Sequence, residues 1–319
     1  MKLEAKTFEM SDLIDVRVKT MTWEAEGILR LLLAPVSGAL PAPEPGAHVD
    51  VHLPGGAVRQ YSLTAGSNAQ SYVLGVLREK ASRGGSKAVH DALRPGQVIA
   101  ISRPRNTFAL DGTTAPALLI SGGIGVTPIL AMADALSRSD RDWSMTACAR
   151  SRDVLGFADE LAALGASTRF DAEDGMPDMA ALIADAAPDA HLYCCGPTPM
   201  LDAFEAAAQD AGFPPEQIHL ERFAPAKPKA GAGEFIVELA RTGETLVVPA
   251  DKSILETIHD AGIDAKNSCR VGVCGTCETQ IIEGEADHQD MILTDEERAE
   301  GRMLICCSRA KTGTLVLDL

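Results

Sequence analysis

The chain has 319 residues, 46% of them hydrophobic, with 29 Lys and Arg against 45 Asp and Glu and a formal net charge of −16. That length leaves room for two or three domains, each able to bury a core, while the negative balance argues against nucleic acid or an anionic membrane surface as the main partner. No apolar run approaches the ~20 residues of a membrane span, and the opening Met1-Lys2-Leu3-Glu4-Ala5-Lys6 lacks the apolar core of a signal peptide. The eight cysteines then read as reduced thiols of a cytoplasmic protein.

In chain order, Asp15–Val18 and Gly27–Leu33 are rich in β-forming residues, and Pro/Gly clusters separate them. Gly46–Leu53 alternates and turns at Pro54-Gly55-Gly56. Many strands with few helices predict an antiparallel barrel over residues 1–111. In Arg59-Gln60-Tyr61-Ser62-Leu63 an extended backbone puts Arg59, Tyr61 and Leu63 on one face and Ser62 on the other. Taken alone, such a string is an ordinary strand with an exposed Arg. Downstream, Gly84-Gly85-Ser86 before a helix over Lys87 to Leu93 forms a cradle of backbone N–H groups suited to phosphate. Pro104 to Leu110 closes this part.

Residues 112–226 read as an α/β domain with a parallel sheet. Ala115 to Ser121 is a buried-type strand, Gly122-Gly123-Ile124-Gly125-Val126-Thr127-Pro128 a turn, and Ile129 to Leu136 a helix. Amides at such a helix start face a pyrophosphate, although the string is not G-x-G-x-x-G. Strand Met145 to Ala149, helix Phe157 to Leu164, strand His191 to Cys195 and helix Met200 to Ala211 continue the alternation. Cys195-Gly196-Pro197-Thr198-Pro199-Met200 is a second strand-to-turn site. Cys148 and Cys194 read as core residues.

Residues 227–319 begin with a Pro/Ala/Gly-rich linker, Ala224 to Gly233. A hairpin of Phe235–Leu239 and Thr245–Pro249 follows, then a helix capped by Ser253 with Glu256 three residues on. Cys269, Cys274 and Cys277 stand at C-x4-C-x2-C spacing, and Cys306-Cys307 come later. This is the plant-type [2Fe–2S] spacing. Structural zinc fits the x4 gap poorly, and a disulfide framework needs an oxidising compartment. Cys306 and Cys307 compete for the fourth ligand position, because neighbours on an extended segment alternate faces. From Glu234 to Leu319 there are 17 acidic and 8 basic residues. Such a surface steers towards a basic partner patch or simply keeps the module soluble.

Together these motifs resemble the phthalate dioxygenase reductase family of the ferredoxin reductase superfamily, across nearly the whole chain. The strings that carry the resemblance are R-x-Y-S at Arg59, G-G-S at Gly84, P-R-N-x-F at Pro104, G-G-x-G-x-T-P at Gly122, C-G-P-x-x-M at Cys195 and C-x-S-R at Cys306. The resemblance implies a multidomain α/β and β protein: a flavin barrel, a nucleotide domain and a β-grasp ferredoxin domain. It implies Arg59 on a flavin phosphate, Tyr61 against the isoalloxazine, Ser62 beside flavin N5 and Phe223 near the ring. FMN is the implied flavin, with FAD left open. Gly122, Gly123, Gly125, Thr127, Pro128, Gly196, Pro197 and Met200 would hold the nucleotide, with Cys195 near the nicotinamide C4. Arg150 and Ser151 fall at the adenosine ribose; NADH is implied, and Arg150 keeps a 2′-phosphate as an alternative. C-x-S-R points to Cys306 as the fourth ligand. The implied activity passes electrons from NADH through FMN and the cluster to a terminal oxygenase, of the Rieske aromatic dioxygenase or O-demethylase type. A reductase for a cytochrome P450 or amine oxygenase is the alternative. A redox-sensing iron–sulfur protein is the reading from another class.

Overall fold

In the computed structural model, residues 13–79, 84–223, 233–267, 270, 272, 275–290 and 293–319 are described. The first strands are β1 (Ile14–Ala25), β2 (Ile28–Pro35), β3 (His48–His52), β4 (Val58–Ser62) and β5 (Tyr72–Leu77), followed by α1 (Gly85–Asp91) and β6 (Val98–Ile101). Along β1 the side chains alternate: Val16 and Val18 are buried while Asp15, Arg17 and Lys19 face water. The strand order is β4-β3-β6-β1-β2-β5, and every pair is antiparallel. A bridge between Leu63 and Leu74 joins the end of β4 to β5, so the sheet closes around Val16, Leu31, Val49, Leu74 and Val76. Helix α1 starts two residues before the expected Lys87, and Gly84 at its N-cap takes a left-handed φ of +92°, which glycine adopts without strain.

The next elements are β7 (Ala117–Gly122), α2 (Val126–Leu136), β8 (Trp143–Ala149), α3 (Ala158–Ala163), β9 (Ser167–Phe170), α4 (Asp171–Asp174), α5 (Met179–Ile183), β10 (His191–Cys195), α6 (Thr198–Asp210) and β11 (Ile218–Glu221). They build a parallel sheet in the order β11-β10-β7-β8-β9. Helix α2 begins at Val126 rather than Ile129. Pro128 is tolerated there because the first turn of a helix has no intrahelical use for its missing N–H.

Barrel and parallel sheet share one compact unit, Met1–Arg222. Arg30 of β2 pairs with Glu24 of β1 and reaches Glu160 of α3. Its guanidinium lies 4.8 Å over the Phe157 ring, and Glu24 accepts a 2.7 Å hydrogen bond from the Phe157 N–H. At Gly75 of β5 a Cβ would come within 2.7 Å of Thr127 Cγ2 and 2.8 Å of the Phe157 ring. The two lobes therefore meet where one of them has no side chain.

The second unit, Phe223–Leu319, contains β12 (Phe235–Leu239), β13 (Glu244–Val248), α7 (Ile254–Asp260), β14 (Glu278–Glu283), β15 (Ala286–Asp287), α8 (Asp295–Ala299), β16 (Arg302–Leu304), β17 (Arg309–Ala310) and β18 (Thr314–Leu317). The expected linker lies outside the described residues except for Gly233. The sheet order β13-β12-β18-β14-β16 puts the last strand at the centre, parallel to β12 and antiparallel to β14. Ser253 and Glu256 form both halves of the expected capping box. A second box, Thr294 with Glu297, starts α8.

Arg309 of the C-x-S-R string is 1% exposed. It donates to the carbonyls of Lys252 (2.7 Å), Pro249 (3.1 Å) and Gly233 (3.3 Å), and stacks 4.9 Å over Phe235. One side chain thus ties Gly233, just before β12, to the segment that enters α7. Arg309→Ala is expected to destabilise this unit by about 3 kcal/mol, since it removes charge-assisted bonds and strands buried carbonyls. Hydrogen exchange of amides in 233–319 should accelerate while those in 14–221 hold. Arg309→Lys should recover only part of the loss, because an ammonium lacks the planar fork.

Candidate cofactor sites

Strand β4 sets Ser62 opposite His48, Tyr61 opposite Val49 and Arg59 opposite Val51. Ser62 is buried, and Tyr61 packs on the rim of the barrel core. Burial pushes the Tyr61 phenol up to about 12, against the pull of Arg59. Arg59 runs across the glycine turn at the start of α1: a Cβ on Gly85 would lie 2.3 Å from Arg59 Nε and 2.4 Å from its Cγ. The two motifs read separately in the sequence therefore form one surface. Ser86 is turned inwards, its hydroxyl accepting a 3.1 Å hydrogen bond from the Glu79 N–H. A guanidinium over the first amides of a helix suits a phosphate monoester. On and beside β4, Gln60 Nε2 and Thr64 Oγ1 are sealed from water with no hydrogen-bond partner among the described residues, as expected where a polar heterocycle completes the site.

At the C-terminal edge of the parallel sheet, the two glycine turns press together. A Cβ on Gly125 would sit 2.2 Å from the Cys195 carbonyl oxygen and 2.8 Å from the Gly196 nitrogen. One on Gly122 would sit 2.4 Å from Met200 Sδ and 2.9 Å from Pro197 Cδ. Gly123 has a φ of +56° and open space where its side chain would be. The Thr127 hydroxyl donates to the Ile124 carbonyl at 3.1 Å and Pro128 is buried, so both shape the turn from inside. An open backbone surface at the start of α2, beside a strand-order reversal, is where α/β sheets bind nucleotides. Arg150 and Ser151 follow β8 on the same edge, with Arg150 exposed.

Cys195 is fully buried, and burial raises its thiol well above the usual range, so it stays neutral. Glu221 lies directly across from it on β11. The residue keeps some exposure, yet its Oε2 is sealed and has no hydrogen-bond partner among the described residues. Burial pushes its carboxyl up to about 8. The place of Glu221 beside Cys-Gly-Pro arises from the β10–β11 pairing, which the sequence does not print. A raised carboxyl pKa means the folded state favours the protonated form. The stability this gives is complete below the ordinary value of 4.5 and is lost as pH rises through about 8. Glu221→Gln should therefore gain stability over the parent chain as pH increases across that window. Thermal melts of cofactor-stripped protein at several pH values test this; a pH-independent gap would contradict the burial assignment.

In the second unit, β14 pairs with β16 so that Glu278 faces Leu304, and the Ile305 N–H donates to the Cys277 carbonyl at 3.4 Å. That ladder brings Cys277 beside Cys306. Both are buried in the core of the unit, as is Cys307. Cys269 and Cys274 lie outside the described residues. The loop is tightly wound: Arg270, Gly272 and Gly275 have φ of +61°, +81° and +72°. A Cβ on Gly272 would meet Cys307 Sγ at 2.6 Å and Asp290 Cα at 3.1 Å. Cys307 therefore packs on the loop backbone. Asp290, which the sequence did not single out, braces the same loop; it accepts from the Leu293 N–H at 2.9 Å and pairs with Arg298. Buried thiols next to a glycine-wound loop fit a thiolate-ligated cluster.

A family model described as a 2Fe-2S iron-sulfur cluster binding domain matches residues 237–311. The chain is 44% identical to a vanillate O-demethylase oxidoreductase of Pseudomonas sp. (strain HR199 / DSM 7063), over 96% of this chain and 100% of that one. The crystal structure of phthalate dioxygenase reductase is 33% identical, with a TM-score of 0.73 over 97% of this chain and 98% of that one. An intact type IV self-sufficient cytochrome P450 monooxygenase aligns with all of this chain and 43% of its own, at 35% identity and a TM-score of 0.77. Its second unit is thus a 2Fe–2S-type ferredoxin module, joined to a barrel and nucleotide unit shared with oxygenase reductases. The chain belongs to the phthalate dioxygenase reductase family.

Proposed function

We propose that this protein is the NADH-oxidising reductase component of a multicomponent oxygenase. It takes FMN and a [2Fe–2S] cluster, and its acceptor is a separate terminal oxygenase of the Rieske aromatic dioxygenase or O-demethylase type. The observation that carries this reading is the meeting of motif pairs within one unit: Arg59 over Gly85, and Gly125 against Cys195. The vanillate O-demethylase relative supports the oxygenase class.

In this reading residues 1–111 are the flavin lobe, 112–226 the nucleotide lobe, and 227–319 the linker and ferredoxin module. Arg59 and the Gly84-Gly85-Ser86 turn hold the FMN phosphate, Tyr61 supports the ring and Ser62 stands at the reacting edge. Gly122, Gly123, Gly125, Thr127 and Pro128 cradle the pyrophosphate, and Gly196, Pro197 and Met200 close the nicotinamide side. Cys195 offers a neutral, fully buried sulfur there, which excludes water from the hydride path. Arg150 and Ser151 take the adenosine ribose. Cys269, Cys274, Cys277 and Cys306 ligate iron, while Cys307 packs the loop. A bound flavin accepts hydride as an electron pair and releases electrons singly, which joins a nicotinamide to a one-electron cluster. Reduced thiols suit the cytoplasm. The alignment inside a P450 monooxygenase chain makes a separate P450 the second acceptor class to assay.

Anaerobically purified protein should hold about two irons per chain and release FMN on heating. Cys306→Ser should lose the cluster and Cys307→Ser should keep it. Cys277→Ser should still reduce ferricyanide with NADH but should fail with cytochrome c and with the oxygenase. FAD on heating, or cluster loss confined to Cys307→Ser, would overturn the assignments. Absence of NADH-driven ferricyanide reduction would overturn the function.

A further inference from the structure

Beyond the ends of β8 and β9, the charges are arranged in a way that hydride transfer does not require. Arg150 is exposed, and its carbonyl accepts from the Ala172 N–H at 3.0 Å. Two residues on, the exposed side chain of Arg152 is paired. Its Nε and one terminal nitrogen donate to the two carboxylate oxygens of Glu173 in α4, at 2.8 and 2.7 Å. The same guanidinium lies 4.5 Å over the ring of Phe170, the last residue of β9. Asp153, Asp171 and Asp174 stand in the same turns, and the Asp174 carboxylate accepts from the Phe170 N–H at 2.9 Å.

The fold fixes what comes to this edge, given the nicotinamide site proposed above, on which the inference rests. The pyrophosphate lies over Gly123 to Gly125, at the end of β7. In the strand order, β10 with Cys195 is on one side of β7 and β8 is on the other. Neighbouring strands are about 4.8 Å apart. With the nicotinamide directed to β10, the adenosine ribose falls over the end of β8, where Arg150, Ser151 and Arg152 are. In nucleotide folds an acidic group near this ribose favours a free 2′-hydroxyl, and an available Arg favours a 2′-phosphate.

We propose that Glu173 is a specificity-determining residue for the dinucleotide. By holding Arg152 in a two-point pair it withdraws a cation from the ribose edge. It also adds a carboxylate where a 2′-phosphate would bring more negative charge. The edge then accepts the neutral ribose diol of NADH and rejects NADPH. Phe170 keeps the Arg152 guanidinium flat and in register with Glu173, which a lysine at 152 would not permit.

The test uses the full-length holoprotein and steady-state ferricyanide reduction, with kcat/KM measured for NADH and for NADPH. The parent chain should prefer NADH. Glu173→Gln keeps the side-chain size and removes the charge; it should raise kcat/KM for NADPH about tenfold relative to NADH, the scale of one charge-assisted contact. The gain should appear in KM rather than kcat and should shrink at high salt. Adding Arg152→Ala to Glu173→Gln should erase it. A NADPH/NADH ratio in Glu173→Gln within about twofold of the parent, or a gain that survives loss of Arg152, overturns the role of Glu173. A parent chain that oxidises neither nucleotide would instead overturn the function on which the inference rests.

Discussion

Absence of side chains at a few positions is what the first unit depends on. Gly75 lets the barrel approach Thr127 and Phe157, and Gly125 lets the first nucleotide turn press on the Cys195 carbonyl. Each contact is closer than any Cβ would permit, and each neighbour is backbone or a packed side chain rather than a flexible tip. A hydride moves only between rings held in contact, so the placement of two lobes matters more here than in a binding protein. The Arg30–Glu24–Glu160 group and the Phe157 stack reinforce the Gly75 seam with charge and an aromatic face. Partly buried groups of this kind add direction to a contact whose closeness is already set by packing.

The second unit is organised by a different device. Arg309 is a buried cation with three carbonyl acceptors, and it holds together Gly233 before β12, the entry of α7 and the segment that carries Cys306. In the cysteine loop, Gly272 packs closely against Asp290 and Cys307. A cluster changes charge with every electron, so a rigid surround with little need to reorganise favours rapid transfer. Two units with separate cores also let two-electron and one-electron chemistry occur in surroundings shaped independently.

Much of this was legible in the sequence, for identifiable reasons. The existence of β1 and β3, the glycine turns, the Ser253 capping box and the cysteine spacing are local signals, and local signals survive in a one-dimensional string. The alternation expected over Gly46–Leu53 is absent from β3, where His48, Val49, Asp50 and Val51 are all buried. The errors at helix starts were also local. Gly84 and Pro128 read as turn residues, yet both are compatible with a helix N-terminus. What the sequence could not show were meetings between distant positions: Glu221 beside Cys195 through strand pairing, Glu173 on Arg152 across a helix turn, and Asp290 against Gly272. Glu221 is the clearest case, because a strand-end Glu reads as solvent-facing until its carboxyl oxygen proves sealed.

The central claim is that the two units act in series, with the flavin between nicotinamide and cluster. Anaerobic stopped-flow mixing of the full chain with NADH, followed at both cofactor bands, tests it most directly. Flavin absorbance should fall first and cluster absorbance follow, with Ser62→Ala slowing the first phase and leaving the cluster spectrum intact. Cluster reduction that precedes flavin bleaching, or occurs in protein stripped of flavin, would contradict it.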